Sequence, residues 1–202
     1  MRSLLIAKTL VFLASLLPTI RLAFAVYTDQ LGANPIEKIL HKTGFWTLSF
    51  LLIALSVTPL RLITGKTWVG QFRRMLGLFA FFYACLHLLI YLGIDQFFDW
   101  NSILKDVTKR PYVTVGLTAF LLLIPLAITS TAKMIHRLGA HRWKKLHRSV
   151  YLIAILGVVH FSWLVKKDLF EPLLFATGLG LLLMFRIVPA AKRKVAAYRA
   201  SR

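Results

Sequence analysis

Long apolar stretches separated by short polar ones set the pattern of this chain. Runs with few or no charges fall near 8–26, 44–63, 75–94, 112–130, 149–165 and 171–188. Crossing a hydrocarbon core as a helix takes about 20 such residues. The pattern therefore predicts an all-α integral membrane protein, a bundle of six transmembrane helices forming a single domain over 1–202. The first run is interrupted by Pro18 and Arg21, and the fifth is short. The connections are brief, and no repeat, low-complexity tract or linker marks off a second domain. Any chemistry is then expected within the bilayer or at its two faces.

Composition agrees: 58% of residues are hydrophobic, the mean hydropathy is +0.70, and only seven side chains are acidic. The net charge of +19 raises nucleic acid as a partner, but the basic residues are dispersed between apolar runs instead of gathered on one soluble face. They report topology instead. Arg61, Lys66, Arg73 and Arg74 follow the second run, Lys133 to Arg148 follow the fourth, and Arg186 to Arg202 close the chain, with no acid in any of these segments. Asp29, Glu37, Asp95, Asp99, Asp106, Asp168 and Glu171 all fall in the alternate connections. The positive-inside rule then places both termini in the cytoplasm. Trp46, Trp100, Trp143 and Trp163 stand at or beyond run ends, as interfacial anchors do. Ala23-Phe24-Ala25 has the form of a signal-peptidase site, but Lys8 and Arg21 break the apolar region before it, so the first helix is expected to be retained. The single cysteine, Cys85, allows no intrachain disulfide.

Histidine within lipid is rare and marks function by default. His87 lies inside the third run, and His147 and His160, thirteen residues apart, frame an otherwise apolar stretch, with His147 just before the fifth run and His160 within it. At 1.5 Å per residue, His87 and His160 each sit roughly 16–18 Å into their helices, hence at one depth. Two imidazoles at one level on separate helices suit axial ligation of a heme iron from both sides. Ala80, Ala84 and Gly157 share the histidine faces and leave room for a macrocycle. The plainer alternative is an intramembrane histidine that bonds a neighbouring carbonyl, and the shared depth weighs against it.

His147 lies about 20 Å nearer the basic face. At that depth helix three offers Arg73 and Arg74, which pair with phosphates and carboxylates and so suit a flavin phosphate or heme propionates. The plain reading of His147 is one more interfacial basic residue. Thirteen residues turn a straight helix by about 220° beyond whole turns, so a bend or a pre-helical position is expected at His147. His41, His136 and His141 fall in expected loops, His41 as part of a docking surface, and Cys85 is expected to serve packing alone.

The run Arg73-Arg74-Met75-Leu76-Gly77-Leu78, leading to Tyr83, Leu86-His87 and Tyr91, resembles the helix-three signature of the MsrQ family, heme-binding membrane subunits of periplasmic methionine sulfoxide reductase systems. The likeness extends through Lys109-Arg110-Pro111-Tyr112, Thr129-Ser130-Thr131, Leu138-Gly139, Arg142-Trp143, Leu146-His147-Arg148, Tyr151 and His160-Phe161-Ser162-Trp163, and includes Gly32 to Asn34-Pro35, His41 and Gly44. That family is similar in turn to ferric-reductase-like transmembrane proteins, six-helix carriers of electrons through b-type hemes. The resemblance implies a heme-binding core in the bacterial inner membrane, with His87, His147 and His160 as heme-associated, metal-binding residues. It also implies one heme b with a second heme or an FMN beside it. The implied donor is the quinone pool or a cytoplasmic flavin reductase. The implied acceptor is a periplasmic molybdenum-cofactor methionine sulfoxide reductase, MsrP, so this subunit does not itself act on the sulfoxide. Larger relatives place two histidines on helix three where this chain has His87 alone, which favours one bis-histidine heme. No G-x-G-x-x-G turn is present, so electrons are expected on a separate carrier.

Two other readings compete. A histidine-dependent transporter predicts intramembrane carboxylates, and none is expected because every acid falls in a connection. A stand-alone ferric reductase shares the heme core and differs only in its acceptor.

Overall fold

The computed structural model describes residues 2–165 and 168–200, with side chains through Arg186. Among these residues there are helices and turns but no strand. The helix α1 spans Arg2–Tyr27 and runs unbroken through Pro18 and Arg21. Then come α2 (Pro35–Thr64), a 3₁₀ turn over Thr67–Gln71, and α3 (Phe72–Ile90), which ends in a π-helical turn over Tyr91–Asp95. The short α4 (Trp100–Lys109) precedes α5 (Pro111–Ile128). The elements α6 (Ala132–Leu138) and α7 (Ala140–His147) form a helical connection to α8 (Val150–Leu164), and α9 covers Phe170–Ala200.

Five of these segments are long and apolar enough to cross a membrane, namely Arg2–Tyr27, Pro35–Thr64, Thr67–Asp95, Pro111–Ile128 and Ala140–Leu164. The sixth expected run, 171–188, lies on α9 but ends beyond the described side chains, as does the basic tail from Lys192 to Arg202. Helix boundaries follow local chemistry. Asn34 caps α2 by accepting from the Glu37 amide at 3.3 Å while its own amide donates to the Glu37 carboxylate at 2.7 Å, and Pro35 follows at the first turn. Gly65, at φ +68°, stops α2 in the left-handed conformation a helix end prefers.

Packing divides the bundle into two antiparallel pairs, α2 along α3 and α5 along α8. At the heart of the first pair Tyr83 is almost wholly buried and stacks on Phe50, with ring centres 5.2 Å apart. Its hydroxyl donates to the Ser15 carbonyl at 2.8 Å and accepts from Thr19 at 3.0 Å, which ties α1 to α3. The rest of α1 is largely unburied, as a lipid-facing helix should be. Contrary to the expectation that every acid lies in an open connection, Asp106 is buried on α4. There it accepts from Tyr91 and pairs with Arg110, each at 3.2 Å. A paired carboxylate of this kind braces the π-helical turn against the start of α5.

Candidate functional site

His87 on α3 and His160 on α8 meet between the two helix pairs, with ring centres 6.1 Å apart and ring planes at 84°. Each ring is oriented by its own pair. His87 Nδ1 faces the Leu40 carbonyl at 3.0 Å and the Thr43 hydroxyl at 3.2 Å, both on α2. Because Thr43 directs its own proton to the Ile39 and Leu40 carbonyls, the ring is the donor at Nδ1. His160 Nδ1 donates to the Tyr112 carbonyl on α5 at 2.7 Å. A ring that donates from Nδ1 keeps its lone pair on Nε2, the tautomer a metal ligand needs. Among the described residues neither Nε2 has a hydrogen-bond partner.

The spacing fits one metal between two rings. An imidazole nitrogen sits about 2 Å from its metal, which puts the centres of two opposed rings about 6 Å apart. Among the described residues no third His, Cys, Asp or Glu completes a cluster that would hold a bare ion. Two ligands alone suit a metal whose other positions are filled by a macrocycle. Room for the rings comes from glycine. A Cβ on Gly44 would lie 3.2 Å from His87 Cε1, and one on Gly116 would lie 2.6 Å from His160 Nδ1. Of the small residues expected from sequence, Ala80 and Ala84 are buried in the core and Gly157 abuts Leu48.

His147 is held differently. It ends α7, and a turn at Arg148–Ser149 separates it from α8, which provides the expected bend. Its Nε2 lies 3.0 Å from the Thr129 hydroxyl, and its ring stacks on Trp143 with centres 3.9 Å apart. Trp143 in turn donates to the Thr129 carbonyl at 2.9 Å. Since Thr129 gives its proton to Pro125, His147 donates from Nε2, the opposite tautomer to that of His87 and His160. Arg73 lies within Coulombic reach of His147, and also of Arg61, Arg186 and Tyr151. Arg74 points elsewhere. It lines a groove of about 450 Å³ between α1 and α3, with Lys8 and Gln71 at its polar end and Phe12, Phe79 and Phe82 among its apolar walls.

Residues 43–158 match the family model described as ferric reductase like transmembrane component. Over 189 residues the chain is 54% identical to the protein-methionine-sulfoxide reductase heme-binding subunit MsrQ of Rhodospirillum rubrum, covering 94% of this chain and 91% of that protein. The MsrQ of Herminiimonas arsenicoxydans is also 54% identical, over 93% of this chain and 87% of its own length. That of Azospira oryzae is 52% identical, over 93% and 81%. The chain belongs to the MsrQ family.

In this MsrQ-family chain several residues at the two sites carry no obvious mark in the sequence. Gly116 was open to suspicion, because a glycine inside a helix costs about 1 kcal/mol against alanine and asks for a packing reason. Leu40 and Tyr112 act through backbone carbonyls, which any residue offers. Thr129 is noticed only as part of the family likeness, and Trp143 reads beyond that as an interfacial anchor, not as a partner of His147. His41 departs from expectation: it lies on α2, not in a loop, half-buried against Phe161 and 3.5 Å from the Glu171 carboxylate. His136 and His141 are exposed on α6 and α7.

Proposed function

We propose that this protein is the heme-binding, electron-transferring membrane subunit of a methionine sulfoxide reductase system. In this reading it is a single six-span domain in the bacterial inner membrane with both termini cytoplasmic. The observation that carries it is the pair His87 and His160, each turned by a backbone carbonyl so that Nε2 is free, with ring centres 6.1 Å apart. Relatives more than half identical, named heme-binding subunits, supply the identity of the group.

A b-type heme bound there supplies a one-electron carrier. The residues do the rest. His87 and His160 would hold the iron, each through its free Nε2, and with both imidazoles bound no position would be left open for substrate. Leu40, Thr43 and Tyr112 fix the rings and make them more basic ligands. The apolar helix faces around them exclude water, which tunes the potential. The inner site, with His147 and Arg73, would hold a second heme or an FMN, while Arg74, which the sequence grouped with them, faces the α1 groove instead. Electrons enter from the quinone pool or a cytoplasmic flavin reductase and leave to a periplasmic molybdenum-cofactor reductase, MsrP, which repairs oxidised proteins.

The test is a spectrum of the purified full chain. A reducible b-type signal is expected, absent in His87→Ala and His160→Ala. Variants that both keep a bis-imidazole signal refute the ligand assignment. The family model's description favours one alternative acceptor, a ferric chelate. Comparing turnover with a chelate and with MsrP separates the two.

A further inference from the structure

Arg186 lies on α9 among groups drawn from three other helices. It donates through Nη2 to the Leu55 carbonyl on α2 at 2.8 Å and through Nη1 to the Tyr151 hydroxyl on α8, with the guanidinium 5.0 Å from the centre of that ring. Its Nε–H is fully buried and, among the described residues, has no acceptor. The Tyr151 hydroxyl accepts from Arg186, and its own proton likewise finds no acceptor there. Arg73 and Arg61 stand within Coulombic reach of one another, and Arg73 also of Arg186. No carboxylate answers them, because every acid, whether on a helix end, in α4 or in a loop, lies toward the other end of the bundle. Leu55 is fifteen residues along α2 from Leu40, so this cluster is roughly 22 Å from the His87 ring's anchor.

A half-buried guanidinium whose Nε–H is sealed from solvent without an acceptor, near other arginines, is costly unless an anion joins it. We propose that Arg186, Arg73 and the Tyr151 hydroxyl form a clamp for an oxyanion, with Arg61 adding charge. The anion is the phosphate or the carboxylate of the molecule in the inner site. The clamp rests on the reading that a flavin or second heme occupies that site. Arg186 presents Nε–H and Tyr151 presents O–H, and Arg73 adds an exposed positive charge beside them. The plain alternative is a structural staple that joins α9 to α2 and α8 and binds nothing.

The purified full chain, wild type and Arg186→Gln, is titrated with FMN and with riboflavin by flavin fluorescence, and heme per chain is counted from reduced-minus-oxidised spectra. For a phosphate, Arg186→Gln weakens FMN about tenfold to a hundredfold and leaves riboflavin, which lacks the phosphate, unchanged. For a propionate, the wild type carries two hemes and the variant one. A staple alone predicts equal loss of FMN and riboflavin, or no change in either affinity or in heme count, and each of these results overturns the clamp. Should Arg186→Gln fail to fold, Arg73→Gln, which removes an exposed side chain, carries the same comparison. Wild-type protein with one heme and no flavin affinity overturns the clamp while leaving the His87–His160 heme intact. Flavin without heme does the reverse.

Discussion

Gly116→Ala sets two effects against each other at the His87–His160 pair. Alanine in place of glycine inside a helix is worth up to about 1 kcal/mol of stability. At this position, however, the new Cβ would stand 2.6 Å from His160 Nδ1 and 2.8 Å from Cε1. Comfortable carbon contacts lie at about 3.5–4.0 Å, so the ring must retreat by roughly 1 Å. That retreat breaks the 2.7 Å bond to the Tyr112 carbonyl and carries Nε2 off the axial line. Losing an outer-shell partner typically costs 10–100-fold in metal affinity, or about 1.4–2.7 kcal/mol. The clash is therefore expected to win at the site even where the helix gains. The expected outcome is a chain that folds and inserts but holds substoichiometric heme, read as heme per protein and as loss of the low-spin signal. Gly180→Ala is the control, since nothing lies within 4 Å of its added Cβ and the heme should be untouched. If Gly116→Ala keeps full heme and the wild-type spectrum, His160 is not held as described and the ligand geometry is wrong.

Other outcomes follow from the same contacts. Gly44→Ala places a Cβ 3.2 Å from His87 Cε1, which a few tenths of an ångström relieve, so heme should be retained with a shifted midpoint potential in a redox titration. Ring planes at 84° predict a highly anisotropic low-spin ferric signal by electron paramagnetic resonance, and a signal typical of parallel rings would contradict the arrangement. Tyr83→Phe removes the bonds to Ser15 and Thr19, each worth about 0.6 kcal/mol in a membrane interior, so denaturant unfolding should shift by roughly 1 kcal/mol while the heme spectrum stays unchanged. His147→Ala should leave the signal of the His87–His160 heme in place, because its ring touches Trp143 and Thr129 and not that pair.

The helices and the meeting of His87 with His160 were legible because both depend on one-dimensional quantities. Hydropathy runs mark the spans, and counting 1.5 Å per residue brought His87 and His160 to one level. What surrounds them depends on rotation about the helix axes and on which helices become neighbours. Arg73 and Arg74 read as one site, yet successive residues diverge by about 100° around a helix, and the structure sends one toward His147 and the other to the α1 groove. Arg186 counted in the sequence only as part of a basic tail that reports topology. Its role as a junction of three helices appears once Leu55 and Tyr151 are seen beside it.

His87 and His160 are each anchored inside their own antiparallel helix pair, so on the proposed ligation a metal held between them would act as a rivet joining two preformed halves. Occupancy and assembly are then one equilibrium: ligand at a thousand times its dissociation constant adds about 4.1 kcal/mol to the native state. Chains made while porphyrin is scarce should gape along that seam and fall to membrane proteases, which would make the abundance of this protein a gauge of pigment supply.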